Sequence, residues 1–457
     1  RSRVGSEMCI RDSLHSQGYY LTGSDNNETE TLEAVRKMGI PVFMGQRAEN
    51  IEGADLIVHT AAIMADNPEL IAAKASNAPV LERSELLGIV TGWYDNAICV
   101  SGTHGKTTTT SMITQILFTA GVDLSAFIGG KLPCIGGSGR AGKSDIMVCE
   151  ACEFVDTFLK LYPDVAVILN IDEDHLDYFK NLENIIKSFR KFSEMATKAL
   201  IINGDDANTL KAVDGITGKE FITFGLDSKN DYYAADIKKI SGMETEYTLM
   251  YKGKALGKIN LHVAGVHNIL NSLAAAAASF YANVSFESIQ KGLSDFRGAG
   301  RRFELIGKEK GITIVDDYAH HPTELSVTLK AAMDMGYNKV WAVFQPFTFS
   351  RTAILLDDFA KALSIPDNAV LTDIMGSREK NTYNIYTRNL AEKIDGCIYF
   401  PQDENAEYTD ERKYENFGQV CDYICENAND GDLVITLGCG DVYKVAKMIY
   451  KKLKGQE

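Results

Sequence analysis

Short apolar runs alternate with amphipathic stretches along most of the chain. Before residue 95 the amphipathic run ETLEAVRKMG is typical of a helix, and the strand candidates are YYLT from Tyr19, PVFM from Pro41, DLIVHTA from Asp55 and PVLE from Pro79. Strands that alternate with helices of about 10–15 residues form βαβ units around a parallel sheet. The pattern therefore predicts an α/β fold in this part of the chain.

The alternation continues after residue 95, with one interruption. The runs NAICVSG, DIMVCE, DVAVILNID and KALIINGDD predict buried strands, and they are followed by FITFG, YYAADIKKI, TEYTLMY and GKINLHV, which are closely spaced and which we expect to be antiparallel. From Arg301 the strand–helix alternation resumes in ITIVDDY, KVWAVFQ, NAVLTDI, CIYF and DLVITLG. With roughly 150 residues per domain as a guide, the pattern predicts three domains, at residues 1–95, 96–300 and 301–457.

Composition excludes several classes of function. The net charge of −15 over 457 residues repels nucleic-acid phosphate, so we expect no nucleic-acid partner. No apolar run reaches the roughly 18 residues of a membrane span, and the N-terminal RSRVGSEMCIRDS lacks the apolar core of a secretory signal. The nine cysteines are scattered, as in reduced proteins. We therefore expect a cytoplasmic protein without a membrane partner.

The most informative segment is GTHGKTTTT, which lies between an apolar strand and a helix. Gly102 and Gly105 can adopt positive φ and bring backbone N–H groups close to phosphate oxygens. Lys106 can reach the β- and γ-phosphates, and the Thr107 hydroxyl suits Mg²⁺. The helix N-terminus also favours an anion. The segment predicts a nucleotide phosphate loop, although its spacing is shorter than GxxxxGK[ST]; the alternative is a glycine turn that caps a helix.

Two further residues follow apolar strands of the same region. Glu150 ends DIMVCE, and His175 comes directly after DVAVILNID. Because the carboxyl ends of parallel strands meet at one edge of a sheet, we expect both side chains to face the phosphate loop. Asp172, Asp174 and Asp177 lie nearby, either as further ligands or as capping residues.

Several motifs together resemble the Mur ligase family. SGTHGKTTTT resembles its ATP loop, and the other segments that agree, in the family's order, are TAAIMADNPEL, PVLERSELLG, NIDEDHLDYF, GVHNILNSLAAAA, RGAGRRFELIG and DDYAHHPTE. The resemblance covers the chain from about Leu14. It implies an N-terminal Rossmann-like UDP-binding domain, a central P-loop ATPase domain and a C-terminal Rossmann-like domain.

The resemblance also implies an activity. His104 is typical of the branch that joins L-alanine to the lactoyl carboxylate of UDP-N-acetylmuramate through an acyl phosphate, in peptidoglycan precursor synthesis. ATP and Mg²⁺ or Mn²⁺ are the implied cofactors, and the protein is expected to be a monomer or a dimer. The alternatives are a sister ligase that adds another amino acid or a peptide, an ATP-binding protein without ligase activity, and a P-loop kinase, which the large third domain disfavours.

Site residues are carried over from the resemblance position by position. The implied ATP contacts are Gly102, Thr103, His104, Gly105, Lys106, Thr107, Thr108, Asn268 at the adenine, Arg302 at the phosphates and Asp317 at the ribose. Asn268 is equally suited to cap a helix. The implied metal ligands are Thr107, Glu150 and His175.

The substrate contacts follow from the same resemblance. His320 is placed near the incoming amino acid and the lactoyl carboxylate, as a base or as an orienting group, and Arg351 near the substrate. The remaining contacts are Tyr318, His321, Ser24, Asp25, Thr60, Ala61, Ala62 and Ser84. Phe347 stands where a histidine is common and Thr348 where some members have arginine.

The start of the chain departs from the family pattern. Family members open with a strand and a GxGGxxMSG-type loop for the UDP diphosphate, and this chain has RSRVGSEMCIRDS instead. We predict no structure for that leader, which looks foreign to the family. We expect the first strand and its glycine loop to be missing from this sequence. As a consequence, we expect the UDP-sugar to bind weakly or the first domain to fold poorly, while the ATP site remains formed.

Overall fold

The structure is a computed structural model that describes residues 8–26, 28, 30–60, 63–240, 244–263, 265–376, 379–401 and 415–456. The chain divides into two compact units. The first unit comprises residues 1–238, 245–261 and 266–296, and the second comprises residues 239–244, 262–265 and 297–457. The domain boundaries expected near residues 96 and 300 stay predictions.

The first 95 residues build small parallel sheets with helices between the strands. Within the described part, these elements are α1 (Met8–Ser16), β1 (Gly23–Asp25), α2 (Glu30–Lys37), β2 (Val42–Met44), β3 (Ile57–His59), α3 (Pro68–Ala75), β4 (Val80–Glu82) and α4 (Arg83–Thr91). β1 pairs in parallel with β2, and β3 pairs in parallel with β4, which confirms the predicted alternation. α1 includes part of the leader for which we predicted no structure, and it buries Ile10 and Leu14.

A ten-stranded sheet forms the centre of the first unit. Its strands are β5 (Asn96–Ser101), β6 (Ser125–Leu132), β7 (Gly137–Arg140), β8 (Ile146–Glu150), β9 (Val165–Ile168), β10 (Ala199–Asn203), β11 (Glu220–Gly225), β12 (Tyr232–Lys239), β13 (Thr245–Tyr251) and β14 (Lys254–Leu261). Their order in the sheet is β14-β13-β12-β11-β10-β9-β5-β8-β6-β7. β5 lies between β8 and β9 and is parallel to both, so the carboxyl ends of all three strands meet at one edge.

Helices cover this sheet and bury its central strands. They are α5 (Lys106–Thr119), α6 (Leu176–Phe179), α7 (Leu182–Met195), α8 (Ala207–Val213), α9 (Val266–Tyr281) and α10 (Phe286–Asp295). Short 3-10 helices lie at Ala48–Ile51, Pro133–Ile135 and Phe154–Lys160. Every residue of β9 and β10 is buried, as expected for parallel strands that are covered on both faces.

The expectation of four consecutive antiparallel strands was wrong in part. β13 and β14 are antiparallel, but β11 is parallel to both β10 and β12. α8 connects β10 to β11 and supplies the crossover that a parallel pair requires. Residues 226–231 separate β11 from β12, a connection longer than the tight turn of a two-residue hairpin.

The second unit contains a six-stranded sheet with helices on both faces. Its elements are β15 (Glu304–Glu309), β16 (Ile312–Asp317), α11 (Pro322–Met333), β17 (Val340–Phe344), α12 (Phe349–Ile354), α13 (Leu356–Leu363), β18 (Asn368–Leu371), α14 (Thr387–Ala391), β19 (Ile398–Tyr399), α15 (Glu415–Asn427), β20 (Leu433–Leu437) and α16 (Tyr443–Leu453). The order is β15-β16-β20-β17-β18-β19, with β15 antiparallel and the others parallel. This arrangement confirms the predicted Rossmann-like C-terminal fold.

Replacement of Gly88 by alanine should destabilise the first unit. A Cβ at this position of α4 would lie 1.9 Å from the carbonyl oxygen of Lys160, a backbone atom that cannot rotate away. Overpacking of this kind costs about 1–3 kcal/mol, so the midpoint of urea unfolding should fall.

Gly92→Ala is the matched control at the end of the same helix. Its Cβ would meet its nearest neighbour, the carbonyl oxygen of Ile89, at 3.4 Å, and we expect a change within about 0.5 kcal/mol. Equal unfolding midpoints for the two variants would contradict the prediction.

Candidate active site

The phosphate loop connects β5 to α5. Neighbouring residues pack so closely against Gly102 and Gly105 that neither position has room for a side chain. Gly102 has a φ of 149° and Gly105 a φ of 86°, as predicted. A Cβ on Gly102 would lie 2.9 Å from the Cβ of Leu169, and one on Gly105 would lie 2.4 Å from Oδ1 of Asn271. Both positions therefore require glycine for their conformation and for the space around them.

Hydrogen bonds to the end of β9 hold this loop in place. The backbone N–H of His104 donates to Oδ1 of Asn170 at 2.8 Å, and Nδ2 of Asn170 donates to the carbonyl of His104 at 3.1 Å. The N–H of Thr103 donates to the carbonyl of Asn170 at 3.0 Å. The loop between Gly102 and Lys106 thus has a fixed shape, and Thr108 continues into the first turn of α5.

Lys106 lies at the first position of α5, with its ammonium turned back over the loop. Nζ donates to the carbonyls of Gly102 and Thr103 at 2.6 and 3.1 Å, and to Oε1 of Glu153 at 3.0 Å. Burial is the largest single influence and disfavours the ammonium, but the charge and hydrogen bond of Glu153, together with Cys152 and Glu150, outweigh it and raise the pKa of Lys106. The lysine is therefore charged at neutral pH.

Thr107 and Glu150 meet beside the lysine, as the sequence predicted. The Thr107 hydroxyl donates to Oε1 of Glu150 at 3.0 Å, and the backbone N–H of Gly129 donates to Oε2 at 2.7 Å. A Cβ on Gly129 would lie 2.7 Å from either carboxylate oxygen, so this contact also depends on glycine. The hydroxyl and the carboxylate are oxygen ligands of the kind that Mg²⁺ prefers.

His175 lies in a second group of polar side chains that includes a residue missed in the sequence. Donor atoms of Glu153, Asp174 and His175 lie within 4.8 Å of one another, a spacing that could hold a metal ion. The ring of His175 also packs against Phe154, with centroids 4.5 Å apart. Glu153 follows Glu150 by three residues at the same edge of the sheet. This spacing is the feature of the sequence that could have identified Glu153 as a candidate site residue. The side chain of Asp177 lies outside the described residues.

The start of α9 lies against the phosphate loop. Asn271 reaches Gly105, as described above, and its Nδ2 donates to Oδ1 of Asn268 at 3.0 Å. This contact places Asn268, the expected adenine contact, on the helix that supports the loop.

The described substrate residues expected in the first 95 positions lie in β1, directly after β3 and at the start of α4. Ser24 is buried in β1, and its hydroxyl donates to Oε2 of the buried Glu69 at 2.8 Å. Asp25 ends β1, and Thr60 is exposed after β3. The Ser84 hydroxyl donates to Oε1 of Glu82 at 2.9 Å and accepts from Nζ of Lys160 at 2.9 Å. Ala61 and Ala62 lie outside the described residues.

In the second unit, Asp317 ends β16 as a buried carboxylate. Its oxygens accept from the backbone N–H groups of Phe303 and Ala319, each at 2.8 Å. Burial raises the pKa of Asp317 to about 6. The guanidinium of Arg302 lies 5.3 Å from the ring centre of Tyr318, the residue that follows Asp317. The structure thus brings the expected contacts Arg302 and Tyr318 together next to Asp317.

The loop after β16 fixes the orientation of two histidines. Nδ1 of His320 lies 3.1 Å from the carbonyl of Tyr318 and 3.2 Å from Oε2 of Glu324. Both neighbours are acceptors, so Nδ1 carries the proton and Nε2 has a free lone pair. Burial lowers the pKa of His320, which keeps the ring neutral at pH 7. His321 caps α11 by accepting from the N–H of Thr323.

Arg351 lies in α12, and one of its hydrogen-bond donors has no acceptor among the described residues. Nη1 is buried and has no hydrogen-bond acceptor among the residues that the structure describes. An arginine N–H that is buried without an acceptor is costly. Thr348, which precedes the helix, has a φ of 65°, a strained value for a residue with a side chain. Phe347 forms an isolated parallel β-bridge with Met375. The geometry leaves Arg351 ready to bind an anionic group.

Comparisons with known proteins cover nearly the whole chain. Residues 10–92 match the Mur ligase family catalytic domain, residues 100–279 the Mur ligase middle domain, and residues 301–440 the Mur ligase glutamate ligase domain. The chain is 43% identical over 449 residues to a UDP-N-acetylmuramate–L-alanine ligase of Acetivibrio thermocellus, covering 97% of this chain and 92% of that protein. A ligase of the same name from Agathobacter rectalis is 42% identical over 446 residues, covering 97% and 95%.

Solved structures agree with these sequence matches. The UDP-N-acetylmuramate–alanine ligase MurC of Thermotoga maritima superposes with a TM-score of 0.79 at 26% identity, with 99% of each chain covered. A murein peptide ligase of Psychrobacter arcticus shares the fold, with a TM-score of 0.72 at 22% identity over 99% and 98% of the two chains. In the described residues no helix is long and apolar enough to cross a membrane. With matches to all three of its domains and relatives above 40% identity over almost the full length, the chain belongs to the Mur ligase family.

Proposed function

We propose that this protein is an ATP-dependent ligase that joins L-alanine to the lactoyl carboxylate of UDP-N-acetylmuramate. The observation that carries the proposal is the grouping of Lys106, Thr107 and Glu150 at the carboxyl ends of adjacent parallel strands. The relatives that bear this activity in their names are 42–43% identical to the chain over nearly its full length. The reaction would belong to the cytoplasm, which agrees with the free cysteines of the described residues.

In the first step, an oxygen of the lactoyl carboxylate attacks the γ-phosphorus of ATP. The bond from that phosphorus to the β,γ-bridging oxygen breaks, ADP leaves with the electron pair, and an acyl phosphate forms. Lys106 and the backbone N–H groups of the loop bind the phosphate oxygens and stabilise the charge that develops on them. Asn268 would contact the adenine, Asp317 the ribose hydroxyls and Arg302 the phosphates.

The donor set of the loop suits a divalent cation. Thr107 and Glu150 offer hard oxygen atoms 3.0 Å apart, and we propose them with His175 as the ligands of Mg²⁺ or Mn²⁺. Bound there, the ion supplies positive charge that neutralises phosphate oxygens. Glu153 and Asp174 have ligand atoms within 4.8 Å of that of His175.

In the second step, the amine nitrogen of L-alanine attacks the acyl carbon. The tetrahedral intermediate expels inorganic phosphate, the amide bond forms, and the nitrogen loses a proton. We propose that Nε2 of His320 accepts this proton, because its hydrogen bonds leave that nitrogen as the acceptor. Arg351 would bind a substrate carboxylate, which supplies the acceptor that its Nη1 lacks.

The proposed reaction predicts that release of ADP and phosphate depends on both acceptors. ATP turnover should be at background with either L-alanine or UDP-N-acetylmuramate omitted, and each mole of ADP should accompany one mole of amide product. A scan of amino acids and of a tripeptide as acceptors separates this activity from that of a sister ligase. ATP hydrolysis that proceeds at the same rate without either acceptor would count against the proposal.

Lys106→Met should abolish turnover by removing the positive charge at the phosphates. Loss of one charge that stabilises a transition state typically lowers kcat by about 10²–10³-fold. Coupled ADP release at saturating substrates measures the effect. Lys291→Met is the control, because that lysine is exposed and pairs with Asp295 on the surface of α10. A Lys106 variant that retains more than a tenth of parent kcat would show that the loop does not act in this way.

Arg351→Met should lose activity without losing stability. Among the residues that the structure describes, the Nη1 atom has no acceptor to lose, so its removal costs the folded protein little. Loss of a charge-assisted hydrogen bond to the substrate, worth about 1.5–3 kcal/mol, should lower kcat/KM for L-alanine by about 10–100-fold. Steady-state kinetics and thermal unfolding together test this. Arg388→Met, an exposed arginine stacked on Tyr386, is the control. A marked fall in melting temperature with unchanged kinetics would assign Arg351 a structural role.

A further inference from the structure

The ammonium of Lys106 has no hydrogen-bond donor left for a phosphate. A lysine has three N–H donors. Those of Lys106 face the carbonyls of Gly102 and Thr103 and the carboxylate of Glu153, whose Oε1 and Oε2 lie 3.0 and 2.8 Å from Nζ. To bind a phosphate oxygen, the lysine must therefore release one of these partners.

Glu153 is the partner that can be released. The two carbonyls belong to the loop itself, whose shape is fixed by Asn170 and by the close packing of its glycines. Glu153 is the one side chain among the described residues that accepts from Nζ. It lies in the chain that leaves β8, directly before the 3-10 segment Phe154–Lys160, in which Val155 and Asp156 have left-handed backbone conformations.

The surroundings of Glu153 make its pairing with Lys106 strong. The Glu153 side chain is 2% exposed and that of Lys106 is 14% exposed, so water screens their attraction weakly. Asp174 places a second carboxylate within 4.8 Å of the donor atoms of Glu153 and His175. The carboxylate of Glu153 thus lies between the Lys106 ammonium and a second carboxylate.

We propose that Glu153 is an internal competitor of the nucleotide phosphates for Lys106. The proposal rests on the proposed ATP-binding role of the loop. A phosphate oxygen takes the place of the Glu153 carboxylate at Nζ, and the ion pair is exchanged each time a nucleotide binds or leaves. The carboxylate keeps the lysine charged and positioned for the phosphates. In return, it lowers the affinity of the loop for nucleotides, which favours the release of ADP.

An alternative role for Glu153 makes an opposite prediction. Were it chiefly a cation ligand together with Asp174 and His175, its neutralisation would weaken the binding of the magnesium complex of the nucleotide and leave metal-free nucleotide unaffected. Were it chiefly a competitor for Lys106, its neutralisation would strengthen the binding of metal-free nucleotide. Measurements with and without divalent cations therefore separate the two roles.

The experiment is calorimetric titration of the full chain with ADP, in EDTA and in MgCl₂. In EDTA, Glu153→Gln should lower the Kd of ADP by about tenfold, because the neutral amide keeps the shape of the side chain but binds an ammonium less strongly than a carboxylate does. Asp174→Asn is the matched control, since it removes a neighbouring negative charge that does not contact Lys106, and it should change the Kd in EDTA by less than about threefold.

Two further variants connect the effect to the lysine. In a Lys106→Met background, Glu153→Gln should no longer strengthen ADP binding, so the double-mutant cycle should show a coupling that accounts for the whole gain. Glu153→Asp keeps the charge with one methylene fewer, and it should give a Kd between those of the parent and of Glu153→Gln. Because the Asp variant retains a counter-charge, it tests the proposal even where loss of the buried charge makes Glu153→Gln too unstable to measure.

The outcomes are distinct. Unchanged or weaker ADP binding by Glu153→Gln and Glu153→Asp in EDTA, or equal strengthening by Asp174→Asn, overturns the proposal. Weakening by Glu153→Gln and Asp174→Asn in MgCl₂ alone overturns it in favour of the cation-ligand role. A parent chain that binds ADP in neither buffer contradicts the proposed function as well, whereas parent binding without the expected change contradicts the competition alone.

Discussion

The site depends on the parallel pairing of β5 with β8 on one side and β9 on the other. The register places Val100 beside Glu150 and Ser101 beside Ile168, so the three strands end at nearly the same level. Each then contributes one part of the chemistry. The phosphate loop follows β5, two carboxylates come from the end of β8, and the loop that carries His175 follows β9. A shift of one residue in either pairing would turn the side chains of that strand to the opposite face.

Close approach of backbone segments is the second requirement, and glycine provides it at three places. Gly102 packs on Leu169, Gly105 on Asn271 and Gly129 on the carboxylate of Glu150. At each contact a Cβ would lie less than 3 Å from a neighbouring atom. The glycines of the loop therefore do more than permit positive φ, because they also let β9 and α9 support the loop from two directions. Such a loop binds phosphate with little reorganisation, and preorganised donors stabilise a transition state most effectively.

The sequence predicted those parts of the site that depend on local order. A strand, a glycine turn and Lys106–Thr107 at a helix start are consecutive in the chain, and the position of Glu150 follows from the rule that parallel strand ends converge. Glu153 was missed because its burial and its pairing with Lys106 depend on a backbone turn through Val155 and Asp156, two non-glycine residues with positive φ. The parallel pairing of β11 with β10 was missed because the short helix α8, which connects the two strands, was not identified in the sequence.

Lys106 in the first unit and Arg351 in the second unit meet the cost of burial in different ways. Lys106 is surrounded by acceptors and carries a complete set of hydrogen bonds, so its charge is stable before any ligand arrives, and a ligand must displace one partner. Arg351 has a planar guanidinium whose five donors are difficult to satisfy together, and its Nη1 has no acceptor among the described residues. Binding at the lysine is therefore an exchange of one anion for another, which suits a nucleotide that must leave as ADP. Binding of an anion at the arginine would satisfy a buried donor, which would strengthen the binding of a substrate carboxylate in the proposed reaction.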